Sequence, residues 1–109
     1  MPKFGLSEKS IEQIHTILRQ HPEVELAIIY GSRAKGNYRE GSDIDLTLQG
    51  EHLTSDILSK ITTALDDSYS PYLFDLSIYQ QLSDPDFIDH INRVGQIFYQ
   101  REPYDKQKL

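Results

Sequence analysis

YGSRAKGNYREGSDIDLTLQG, residues 30–50, sets a glycine-serine pair behind an apolar run and returns, ten residues later, with two aspartates separated by one residue. Its second half alternates. Ile44, Leu46 and Leu48 fall on one face of a strand, and Asp43, Asp45 and Thr47 fall on the other, so both carboxylates point the same way. Residues two apart on a strand sit about 6.5–7 Å apart, a distance from which two carboxylates can converge on one or two divalent cations. All-oxygen ligands favour Mg2+ or Mn2+. The first half supplies a different element. Val24 to Tyr30 is a short apolar run expected to be a strand covered on both faces, and Gly31 stops it. A glycine there lets backbone amides approach phosphate oxygens, and the Ser32 hydroxyl adds a further donor. Ser32 to about Lys35 is expected to form one helical turn before Gly36, Asn37 and Gly41 reverse the chain.

Outward from this stretch the periodicity changes. Ile11, Ile14, Ile17 and Leu18 recur at helical spacing between Leu6 and His21, with Ser7 as the expected N-cap and Pro22 just beyond. Leu53, Ile57, Leu58, Ile61 and Leu65 mark a second amphipathic helix, capped at Thr54 or Ser55 and ending near Asp67. After an expected turn over Ser68 to Pro71, Phe74, Leu76 and Ile78 alternate with Asp75 and Ser77 as a third strand. Asp84-Pro85 opens a last helix to about Val94, closed by Gly95 and followed by a short extended Ile97 to Tyr99. The order of elements predicts an α/β or α+β fold in which helices cover a small sheet, as one domain over residues 1–109 with a frayed tail from about 101.

Composition narrows the chemistry. The 109 residues carry 17 acidic and 11 basic side chains, a net charge of −6. That balance argues against holding nucleic acid by phosphate neutralisation, and it requires a cation wherever a nucleotide meets the aspartates. Without cysteine there is no thiolate nucleophile and no cysteine-based zinc site. No apolar run approaches a membrane span, and the N-terminus lacks a signal core, so a cytoplasmic location without membrane contact is expected. His15, His21, His52 and His90 share no metal-ligand spacing, and packing is the expected role of Tyr30, Tyr79 and Tyr99.

Asp75 is the third carboxylate best placed by face and strand position to complete the site. Arg33, beside the Gly31-Ser32 turn, is expected to reach the triphosphate, with Lys35 and Arg39 as solvated loop charges; Ser42 stands at the entry to the second strand, where structure and site are equally open to it. Three aspartates on strand faces, where aspartate is disfavoured, need a compensating ion.

The pattern Gly31-Ser32, ten residues, Asp43-Ile44-Asp45 resembles the minimal nucleotidyltransferase (MNT) domains of the DNA polymerase β-like superfamily. The resemblance covers nearly the whole chain and departs slightly at Lys35, where relatives commonly carry arginine. It implies a small mixed sheet and transfer of a nucleoside monophosphate, AMP from ATP, to a hydroxyl with loss of pyrophosphate. It implies two Mg2+ ions on Asp43 and Asp45, with Asp75 on the ion nearer the acceptor and helping to deprotonate it. Gly31 and Ser32 would steady the β- and γ-phosphates. The length resembles stand-alone MNT proteins encoded beside a HEPN-domain partner, antitoxins that adenylylate a tyrosine of the HEPN toxin. Two other roles stay open: an antitoxin that inhibits by binding alone, and a transferase acting on a small molecule.

Overall fold

A computed structural model describes residues 3–39, 41–68 and 72–101. The expected turn over Ser68 to Pro71 therefore lies outside the described residues from position 69, as does the tail from 102. Helix α1, Glu8–Arg19, starts where the sequence places its cap: the Ser7 side chain accepts the Ser10 amide. Strand β1, Leu26–Tyr30, runs into the single-turn helix α2, Gly31–Lys35, which Gly36 ends in the left-handed region at φ 88°. Strand β2, Ile44–Gln49, is followed by α3, Ser55–Asp67, whose cap is Thr54 rather than Ser55. Strand β3, Phe74–Ile78, passes through a 3-10 turn at Tyr79–Gln81 into α4, Pro85–Val94, capped by Asp84. The extended Ile97 to Tyr99 belongs to a fourth strand, β4, Gln96–Gln100.

The sheet is mixed, in the order β3-β2-β1-β4. Residues 31–43, between β1 and β2, return the chain antiparallel, whereas β2 and β3 are parallel and need α3 as their crossover. Alternation then sorts the side chains. Ile44, Leu46 and Leu48 are fully buried, together with Ala27 and Ile29 of β1, against Ile14 and Leu18 of α1 and Ile61 and Leu65 of α3. The opposite face is covered only in part, by α4. There the Tyr30 ring meets Phe87 edge-on at 5.4 Å, and a side chain at Gly95 would strike Ile28. So β1 is flanked on both faces, as its continuous apolar run predicts, but Ile28 stays half-buried.

Strand β4 pairs antiparallel with β1 through an irregular step. Ala27 faces Tyr99 and Ile28 faces Ile97, which leaves Phe98 as the extra residue. The Phe98 carbonyl lies 2.7 Å from His15 Nε2; since a carbonyl only accepts, that nitrogen carries the proton and donates. His15 also packs edge-on against the Phe98 ring at 5.1 Å. Among the described residues, no helix is long and apolar enough to cross a membrane.

Candidate active site

The half-covered face of the sheet carries the aspartates. The parallel register puts Asp45 of β2 directly opposite Asp75 of β3, and the antiparallel register puts Tyr30 of β1 opposite Asp45 on its other side. Neighbouring strands lie about 4.8 Å apart, so three side chains form one row across the sheet. Asp43 stands two residues before Asp45, at the mouth of β2, and is exposed like Asp75, whereas Asp45 is half-buried. The adjacency of β2 and β3 thus supplies what the sequence left open, the placement of Asp75 beside the Asp43-Asp45 pair.

The electrostatics record the crowding. Burial first, and then the charges of Asp75 and Asp43, push the Asp45 carboxyl up to about 6, against a smaller opposing pull from Arg33. The Tyr30 hydroxyl is pushed up to about 12 by burial, then by Asp75 and Asp45, while a hydrogen bond with Ser77 acts the other way. One row further along the strands, Ser77 donates to Thr47 Oγ1 at 2.9 Å, and Thr47 is fully buried. Tyr30, Ser77 and Thr47 therefore form a hydroxyl floor beneath the carboxylates. Sequence reasoning set Tyr30 down as packing and passed over the other two; the signal available was the alternation that puts Thr47 and Ser77 in line with Asp45 and Asp75.

Gly31 holds the opposite wall. Its φ of 75° is left-handed, and a Cβ there would run into an Asp45 carboxylate oxygen. The glycine that ends β1 thereby lets the Ser32 turn close down on Asp45. Ser32 itself is half-buried in α2.

Among the described residues, no three acidic or histidine side chains are already drawn around a common point where a metal would sit. The donor set nonetheless fits a hard divalent cation. It consists of carboxylate oxygens on adjacent strands, and Asp45, raised by burial and then by its acidic neighbours, is a carboxylate whose charged form a cation would favour.

Arg33, expected to reach the triphosphate, is only 3 % exposed, and its guanidinium is engaged within the protein. Its Nε and Nη2 both donate to the Ser42 carbonyl, at 3.1 and 2.8 Å, and Nη1 donates to the Phe4 carbonyl at 2.9 Å. The guanidinium lies over the rings of Tyr38 and Tyr72. Burial of a permanently charged group is tolerable because the fork finds carbonyl partners and aromatic faces. Ser42 shapes the loop: its Oγ accepts the Arg39 amide at 2.9 Å and its own amide donates to the Arg39 carbonyl. Lys35 and Arg39 are exposed, as expected of solvated charges.

Comparison with known proteins agrees with this geometry. A family model described as polymerase beta, nucleotidyltransferase, matches residues 12–104. No curated protein matches the chain in sequence. Among solved structures, a toxin-antitoxin with AMP-PNP superposes with a TM-score of 0.69 at 19% identity, over 89% of this chain and 78% of that one. A tri-AMPylated HEPN toxin of Shewanella oneidensis in complex with an MNT antitoxin gives 0.65 at 17%, over 92% and 77%. A nucleotidyltransferase described as putative, from Sulfolobus solfataricus, gives 0.55 at 20%, over 87% and 81%. At these identities the structures establish a shared fold.

Proposed function

The chain belongs to the polymerase β nucleotidyltransferase family, and from that premise we propose that it transfers AMP from ATP to a tyrosine hydroxyl of a HEPN-type protein and thereby acts as its antitoxin. The observation that carries this reading is the row formed by Asp45 and Asp75, with Asp43 beside it and the Gly31-Ser32 turn closing over it. The solved complexes supply the partner class, because the similar chains include an MNT antitoxin bound to an AMPylated HEPN toxin.

In this reading the acceptor oxygen attacks the α-phosphorus and the bond to the pyrophosphate oxygen breaks. AMP ends on the acceptor as a phosphodiester, and the hydroxyl proton passes to Asp75. Divalent cations on Asp43, Asp45 and Asp75, Mg2+ or Mn2+, would neutralise the charge on the attacking and leaving oxygens. Ser32 and the Gly31 backbone hold the β- and γ-phosphates, and Ser42 borders the same turn. Catalysis then rests on alignment and preorganised charge.

The test is label transfer from α-labelled ATP with Mg2+, with and without a HEPN-type protein from the same host. Label on the partner, lost when Asp43 and Asp45 are both changed to Asn, supports the proposal. Tight complex formation without label makes the chain an antitoxin by binding alone. Label on a small hydroxyl compound with no second protein present makes it a small-molecule transferase.

A further inference from the structure

One guanidinium touches all three segments that carry the site. Arg33 belongs to α2, one residue after Ser32. Its Nε and Nη2 hold the carbonyl of Ser42, the residue directly before Asp43. Its face lies 4.9 Å from the ring centroid of Tyr72, three residues before Asp75, and the next residue, Leu73, accepts the Ile44 amide at 2.9 Å between the two aspartate strands. The remaining bond, Nη1 to Phe4, ties down the tight Lys3–Leu6 turn, where Phe4 and Gly5 both have positive φ.

From this juxtaposition we propose that Arg33 is a positioning residue. It fixes the separation between the phosphate-side turn and the carboxylates of Asp43 and Asp75 without touching nucleotide itself. The reading of the site as a metal-nucleotide centre is its premise, yet the strut is a property of the chain and can be measured without substrate. Lysine cannot replace it. An ammonium keeps the charge but lacks the planar fork that takes one carbonyl with two nitrogens and a second with the third. Loosening by about 1 Å in such a frame costs on the order of 100-fold in rate, and losing a partner that orients metal ligands costs roughly 10- to 100-fold in metal affinity.

The experiment compares wild type with Arg33→Lys and Arg33→Gln at a temperature where all three are folded. Amide exchange is followed residue by residue, Mn2+ binding is followed by its paramagnetic signal, and kcat and KM for ATP are measured separately. The expected result is faster exchange at the Ile44 and Ser42 amides with unchanged protection in β1 and β4. Mn2+ binding should weaken about 10-fold or more, and kcat should fall with little change in KM, in Arg33→Lys as well as Arg33→Gln. A rise in KM for ATP alone, with unaltered exchange, would make Arg33 a phosphate ligand and overturn the proposal. Loss of protection spread evenly over the sheet, with kcat and Mn2+ binding retained, would make it a plain stability anchor and overturn it too. Should wild type bind no Mn2+, the metal-centre reading falls while the exchange pattern still decides the strut. If Arg33→Gln does not fold, Arg33→Lys and the stack-removing Tyr72→Leu carry the same comparison.

Discussion

Strand β2 presents two opposite faces over the same six residues. On one, Ile44, Leu46 and Leu48 have no exposed surface and lock the sheet to α1 and α3. On the other, Asp45 faces Asp75 across the parallel ladder and Tyr30 across the antiparallel one, with its carboxyl raised to about 6 by burial and like charge. The apolar face holds the chain together. The polar face works against that cohesion and is kept in place by it, which is the arrangement expected where charge has been gathered for a ligand. The substitutions below separate the two faces, and one at their seam should move both.

The largest effect belongs to the acidic face. Changing Asp43 and Asp45 together to Asn should lower AMP transfer by on the order of 1,000-fold, the scale for losing preorganised electrostatic stabilisation. Far-UV circular dichroism should be unchanged, and denaturant unfolding without metal should show a protein at least as stable as wild type. A destabilised double variant would break the comparison. Leu46→Ala reverses the pattern. It should cost about 3 kcal/mol in chemical denaturation, typical of a buried leucine truncation, while transfer per folded molecule stays near wild type.

Gly31→Ala tests the seam between the faces. A left-handed φ and the Asp45 carboxylate in the way should together cost roughly 1–2 kcal/mol, seen as a lower urea midpoint, and transfer should fall along with it. Ser77→Ala should be milder, about 1 kcal/mol for one hydrogen bond to the buried Thr47. The smallest effect is a pH dependence. Because the Asp45 carboxyl goes from 3.8 to about 6 on folding, the native state holds its proton more tightly than the unfolded chain does. That stabilisation is complete below pH 3.8 and is lost as pH rises through about 6. Metal-free unfolding at pH 5 and 7.5 should therefore show a slope that Asp45→Asn flattens; an unchanged slope in the variant would place its source elsewhere.

Much of this was readable before any coordinates. Local rules placed the cap at Ser7, narrowed that of α3 to Thr54 or Ser55, opened α4 at Asp84-Pro85, and gave the inward Ile44-Leu46-Leu48 set and the common face of Asp43 and Asp45, since capping and alternation act over a few residues. What they did not reach depends on partners far along the chain. The pairing of Asp45 with Asp75 spans 30 positions, β4 finds β1 from the other end of the chain, and Arg33 reaches Phe4 from 29 residues away. An arginine beside a phosphate-type turn reads as a ligand for triphosphate until the carbonyls that receive it, of Phe4 and Ser42, are located. Tyr30 shows the same limit, because an aromatic at a strand end carries no mark of the two aspartates that will flank it.

The extra residue in β4 has a consequence for the company this protein keeps. A regular outer strand would offer an evenly spaced row of amides and carbonyls, a template on which a foreign strand could grow. Phe98 breaks that spacing, and its carbonyl is already taken by His15. The outermost strand on that side is thereby a poor seed for sheet extension, and the open margin of a very small fold is guarded against aggregation by one misfit residue and one imidazole.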